Sequence, residues 1–434
     1  MAVENTAARR LGEFCGVQTG PFGSQLHAED YVDNGTPIIT VEHLGDNEVL
    51  HANLPLVSET DRVRLSRYSL REGDIVFSRV GAIDRTAFIG SKEDGWLFSG
   101  RLLRVRPNSS VADGRYLSYM LGHEDAVAWI RNHSVGSTMA CLNTAIMSGV
   151  PLRIPSLPVQ RRIAAILDTL DDAIHRTEQV IAKVQQMKQG LLHDLLTRGV
   201  DEHGDLRPPP SEAQHLYKDS PLGRIPKEWK VMRVEETLAV LLDFRGKTPK
   251  KLGMEWGGGD IPALSAKNVR IGRIDLEEET YYGSTRLYEK WMTKGDPVQG
   301  DVVLTTEAPL GNVAQIPDGR RYFLSQRVVL LRFNGSMALS HFMAVQLANE
   351  RFQSNLKQWS TGTTATGIQM AKMALVPVVL PPLAEQALQA ETAQAVVRRM
   401  DTELSLLRKF RDTKSGLLHD LLTGRIRVPI AEEV

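Results

Sequence analysis

The chain has 434 residues, 42% hydrophobic and 24% charged, which is enough for two or three domains with buried cores. Its 52 Lys and Arg balance 52 Asp and Glu, so the basic surplus that usually marks a nucleic-acid binder is missing. No apolar run reaches the roughly eighteen residues of a membrane span, the start lacks a leader pattern, and Cys15 and Cys141 are too few for a disulfide framework. A cytoplasmic protein with no membrane association is expected.

In chain order, short apolar runs at 36–41, 74–78 and 102–106 predict strands, and 116–121 and 123–131 predict helices. Residues 157–197 read as one long helix. Ile163, Leu167, Leu170, Ile174, Thr177, Ile181, Val184, Lys188, Leu191 and Leu195 alternate four and three apart. That is the 3.5-residue seam of a coiled coil, with Gly199 placed to stop it. A Pro-rich polar stretch around Pro208, Pro209 and Pro210 reads as a linker. Strands follow at 301–305 and 328–332, and a helix at 340–357. The second long helix repeats the seam phase with Val396, Met400, Leu407, Phe410, Leu417 and Leu421, interrupted by Gln389 and Glu403.

The chain is written twice. KQGLLHDLLT runs from Lys188 to Thr197 and returns as KSGLLHDLLT from Lys414 to Thr423, an offset of 226. That offset also carries Pro155, Leu157 and Gln160 onto Pro381, Leu383 and Gln386, and Ser99 and Arg101 onto Ser325 and Arg327. It places Gly136, Ser137 and Thr138 on Gly362, Thr363 and Thr364. The helical segments match without insertion, whereas the mixed segments match only at scattered points. Two similar spacers therefore join two dissimilar domains. The boundaries are 1–155 and 228–380 for the mixed domains, 156–200 and 381–434 for the helical segments, and 201–227 for the linker. The predicted fold is α+β: two pseudo-twofold-related mixed α/β domains separated by two long helices in an antiparallel coiled coil.

Catalytic motifs fail one by one. Gly246, Lys247 and Thr248 lack the glycine a P-loop needs at position 241, which is Leu. Gly257 to Gly259 open no dinucleotide fingerprint. His193 with Asp194, and His419 with Asp420, are adjacent pairs that point to different helix faces, and no further His–Asp set completes a metal site. The positive signals are polar loops. Gln18, Thr19, Phe22, Ser24 and Gln25 form one; Arg79 and Arg85 follow a strand. Arg245, Lys247, Thr248, Lys250 and Lys251 form a basic loop, and Lys267, Asn268, Arg270 and Arg273 another. Arg and Lys reach guanine edges or phosphates, and Gln and Asn pair with adenine.

Several features resemble the specificity subunit of type I restriction–modification enzymes. They are Leu157 to Gln160 leading into a helix, Gly190 to Thr197 closing it, and the duplicate ending from Leu422 to Val428. Gly20 to Ser24, with Tyr31 and Gly35 to Pro37, and Ser220 to Trp229 are similar to that family's entries into its two target recognition domains. Arg79 to Gly81, and Gly136 to Thr138 with Leu142 and Asn143, match its habits, which adds Ser137, Thr138, Asn143, Thr363 and Thr364 to the candidate contacts. The resemblance implies a non-catalytic subunit that reads double-stranded DNA. It implies docking of two methyltransferase subunits, which bring S-adenosylmethionine, and of motor/nuclease subunits using ATP and Mg²⁺. The seam residues would serve the coil and its partners. A duplicated coiled-coil adaptor without a DNA role is the competing reading, and a self-sufficient methyltransferase would need a cofactor loop that the sequence lacks. One departure stands out: the second copy has Thr305, Thr306 and Glu307 where the first has Ser78, Arg79 and Val80.

Overall fold

The computed structural model describes residues 8–21, 25–26, 28–81, 83, 85–135, 140–361 and 367–429. Contacts divide the chain into two units: Met1–Glu178 with Ser405–Val434, and Gln179–Leu404. The candidates Phe22, Ser24, Ser137, Thr138, Thr363 and Thr364 lie outside the described residues.

Unit 1 is organised by an antiparallel sheet of β1 (Cys15–Thr19), β2 (Ile75–Ser78), β3 (Thr86–Phe88) and β4 (Leu102–Pro107), in the order β1-β4-β2-β3. Side chains alternate across a strand, so β2 feeds two cores. Ile75 and Phe77 enter the core beneath the helices, and Val76 enters the one formed with the second small sheet. The expected strand at 36–41 ends at Ile39 and pairs in parallel with Leu97–Phe98. Short helix α1 (Glu59–Arg64) precedes the sheet's centre, and α2 (Gly114–Gly122), α3 (Glu124–His133) and α4 (Thr144–Ser148) follow it. Asp113 and Asn143 begin α2 and α4 by accepting from the backbone N–H of Tyr116 and Ile146.

Unit 2 repeats this plan with β5 (Leu238–Asp243), β6 (Val302–Thr306), β7 (Leu310–Gln315) and β8 (Val328–Phe333), ordered β5-β8-β6-β7. Here Val302 and Leu304 face one core and Val303 the other.

The long helices are α5 (Leu157–Thr197) and, after α6 (Thr285–Trp291), α7 (Ser340–Ala348), α8 (Glu350–Gln358) and α9 (Met370–Ala374), α10 (Leu383–Leu422). Seam positions are the buried or half-buried stripe of each, with Ile163, Leu167, Ile181, Leu195, Leu407 and Leu421 buried and Leu170, Ile174, Val184, Leu191, Val396, Met400, Phe410 and Leu417 half-buried. In unit 1, Asp171 meets Lys414 at 2.5 Å and Glu178 meets Arg411 at 2.7 Å. The partner number falls as the α5 number rises, so these segments run antiparallel. Gly199 ends α5 with φ +66°, where an added Cβ would stand 2.1 Å from Glu385 Oε1.

Two expectations need correction. The helix predicted over 340–357 breaks at Asn349, whose side chain accepts from Arg351 N (2.9 Å) and starts α8. The stretch 201–227 is no free linker. Arg207 makes two bonds to the buried Glu385 (2.6 and 3.0 Å), and that carboxylate also accepts from Val200 N and Trp229 Nε1. Tyr217–Lys218 pairs with Ile225–Pro226. A buried carboxylate needs such a set of donors.

Candidate nucleic-acid interface

Each mixed domain begins its long helix with the same latch. Gln160 Oε1 accepts from Asp113 N (2.8 Å), while its Nε2 donates to Val111 O and Pro155 O. Gln386 accepts from Leu339 N (2.9 Å) and donates to Met337 O and Pro381 O. Both glutamines are fully buried. A second shared device sits on each sheet: Arg106 makes two bonds to Asp74, and Arg332 makes two to Asp301. These pairs lock the sheet at its far end.

The opposite end of the sheet gathers the polar loops. In unit 1, Arg79 N donates to Arg101 O, Arg79 Nε to Leu142 O, Gly81 N to Ala140 O and Gly20 N to Leu102 O. Thr19, Arg79 and Asn143 thus meet at one corner, with Arg85 and Arg101 exposed beside it. Neither Arg85 nor Arg101 has an ion-pair partner among the described residues. Arg101 was not singled out from sequence as a contact, although its match to Arg327 was the signal that could have found it. Gln18 lies within the sheet, accepting from Arg104, and burial, with Arg106 beside it, pulls the Arg104 guanidinium down to about 10. Gln25 is fixed by Arg67 and Tyr68.

In unit 2 the same corner is a cleft of about 420 Å³ lined by Arg245, Thr306, Glu307, Thr361 and Gln369. Glu307 occupies the bridge position matching Val80 and pairs with Arg327 at 2.8 Å. The departure in the sequence therefore changes the chemistry of the corner: Arg79 and Arg101 in unit 1 are replaced by Thr306 and an Arg327 paired with Glu307 in unit 2. Arg245 forks onto Asp243 (2.9 and 2.7 Å). Burial opposes the Asp243 charge, but the Arg245 bonds hold its carboxyl below the usual range. Lys247 donates to Trp291 O and Thr293, and burial, then Lys294, lowers its pKa. Thr248 caps the turn at Lys251, and Lys250 is exposed. Lys267 pairs with Glu279 at 2.6 Å.

Asn268 is a correction. Its Oδ1 accepts from Ser265 N and Oγ, its Nδ2 donates to Asp275 O and Thr280 Oγ1, and it is fully buried. It holds a loop together and has no edge left for a base.

A fold of two like domains, each latched to a long helix and each presenting a polar corner, defines a duplicated DNA-recognition subunit. The model of the type I restriction modification DNA specificity domain matches residues 4–186 and again 226–407, and the chain belongs to that family. The MjaVIII type I restriction enzyme specificity subunit of Methanocaldococcus jannaschii is 23% identical over 428 residues, covering 96% of this chain and 92% of its own. The S subunit of the type I restriction–modification system from M. genitalium shares the fold at 11% identity, with TM-score 0.59 over 97% of this chain and 98% of that one. A solved chain from a study of complex assembly and conformational transition in the type I R-M system does so at 14%, with TM-score 0.54 over 98% and 100%. The protein supplies DNA sequence specificity in type I restriction–modification and is a non-catalytic subunit. No helix among the described residues is long and apolar enough to cross a membrane.

Proposed function

We propose that the chain reads a bipartite DNA target, one half-site per mixed domain, with α5 and α10 forming an antiparallel coiled coil that sets the gap. The observation that carries this is the repeated glutamine latch, which seats each domain on its helix in the same way. Further support comes from the buried seam and from Leu196 sharing a core with Ala390, early α10 against late α5. Two methyltransferase subunits dock on the helical region and bring S-adenosylmethionine; motor/nuclease subunits bring ATP and Mg²⁺. The assembly works in the cytoplasm. Arg79, Arg85 and Arg101 are the unit 1 contacts, and Arg245, Lys247, Thr248 and Lys250 those of unit 2. Cations already paired within the chain must exchange a carboxylate for a phosphate, which lowers their contribution.

The test lengthens the ruler. At about 1.5 Å per residue, α5 spans roughly 60 Å. Seven residues added to each helix, near Val184 and Phe410, keep the 3.5-residue phase and extend it by about 10 Å, near three base pairs. Methylation sequencing of cells carrying the variant complex should show both half-sequences kept and the gap widened. An unchanged gap, or altered half-sequences, removes the ruler.

A further inference from the structure

We infer that His123, Glu124 and His419 form a binding site for one divalent transition-metal ion of the Zn²⁺ type, joining α3 to the last turn of α10. One ligand atom from each residue lies within 4.8 Å of the others. An ion bound at about 2.0–2.1 Å to nitrogen draws tetrahedral ligands to about 3.4 Å apart, so small side-chain rotations close the set. The rings of His123 and His419 stand 5.6 Å apart, and His419 Nδ1 is 3.5 Å from Glu124 Oε1.

His123 carries the inference. It is 4% exposed, and its Nε2 is a buried polar atom with no hydrogen-bond partner. Buried imidazole nitrogens are seldom left so. Its Nδ1 is held only by a long contact from Asp125 N (3.4 Å), while Asp125 Oδ2 lies 3.5 Å away. With the metal on Nε2, the single proton of the neutral ring moves to Nδ1, which gives up the long contact from Asp125 N and donates to that carboxylate instead. This is the carboxylate–histidine–metal arrangement that fixes the ring and raises its basicity.

Unit 2 is the internal control. Position 349, the counterpart of 123, is Asn, and it caps α8 at 2.9 Å in the ordinary way. His123 makes the corresponding cap only through a longer contact, 3.4 Å from Asp125 N. The space beside the two positions differs as well. Near His123 a cleft of about 370 Å³ is lined by Met120, Asp125, Leu422 and Thr423. Its counterpart near Asn349 is about 20 Å³, with Phe352 standing where unit 1 has Ala126. The cleft gives an ion entry and leaves a position open to solvent.

Untagged full-length protein, stripped with chelator, is titrated with Zn²⁺ by calorimetry and with Co²⁺ by visible absorption. One ion per chain is expected, with a low-symmetry Co²⁺ band and a Tm that rises with Zn²⁺. His123→Asn copies the unit 2 cap, so it removes the ligand while keeping the helix start. It should abolish binding and leave the metal-free Tm unchanged. His419→Ala and Glu124→Gln should each weaken binding about tenfold or more, and His193→Ala should not. Absence of stoichiometric binding, or binding that survives His123→Asn and His419→Ala, overturns the site. A Tm that does not respond to added Zn²⁺ does the same.

Discussion

The two units agree at one end of their sheets and disagree at the other. The Asp–Arg locks and the glutamine latches are the same in both, bond for bond. At the loop corner, the positions of Arg79, Val80 and Arg101 in unit 1 correspond to Thr306, Glu307 and a paired Arg327 in unit 2. Structure is copied where each domain sits on its helix, and chemistry varies at the loop corner, as the proposed reading of two different half-sites requires. A neutral chain can still bind DNA on this plan, because what counts is a few local cations rather than net charge.

The largest asymmetry to test is the anchoring of residues 201–227, which has no match among the described residues of unit 1. Glu385→Ala leaves Arg207 with only the exposed Glu228 at 3.7 Å and should cost about 3 kcal/mol in chemical denaturation. Val159→Ala, at the equivalent position on α5, should cost about 1 kcal/mol. Equal losses would show that the carboxylate cluster is not special to unit 2.

The latches make the opposite prediction. Gln160→Ala and Gln386→Ala each remove three hydrogen bonds and leave buried backbone groups unpaired. Each should lose about 2–3 kcal/mol, and the two losses should match within about 1 kcal/mol. A large difference would break the claim that the domains are seated alike.

At the corners the effects are smaller and read in DNA binding by the assembled complex. Arg101→Ala should weaken affinity about tenfold and reduce the salt slope by about one. Arg327→Ala should do less, since Glu307 already engages its charge, and Glu307→Gln should strengthen binding by about two- to threefold as that arginine is released. If Arg101 and Arg327 behave alike, the difference between the corners has no energetic meaning.

Much of this architecture could be read from residue order. The seam residues from Ile163 to Leu195 declared α5 because their period is local, and Gly199 marked its end for the same reason. The duplication gave both domains. What escaped depends on contacts that residue type and spacing alone do not show, local or distant. Arg207 and Glu385 are 178 positions apart, so a Pro-rich stretch looked free when it is tied down. Asn268 looked like a base reader because its type permits it; only the fold shows every polar group of its amide in use. Asn349 sits in a continuous helical pattern, and its capping bond is visible only in three dimensions. His419 was set aside because no neighbouring ligands are visible in the sequence; the fold brings one ligand atom each of His123 and Glu124 within 4.8 Å of it.

The division of the chain also has a consequence for how the protein is made. Unit 2 is one continuous stretch, whereas unit 1 needs residues at both ends of the chain: Leu421 and Leu422 complete the core that holds Ile163 and Leu167. A ribosome adding roughly 5–20 residues per second needs about 10–50 s to travel from the end of the first segment to the start of the last. For that interval the nascent amino-terminal domain carries an uncovered apolar stripe on α5, and all residues of unit 2 are synthesised before those that complete unit 1. Premature termination anywhere in α10 after Leu404 should therefore yield a chain with a sound middle and an aggregation-prone beginning.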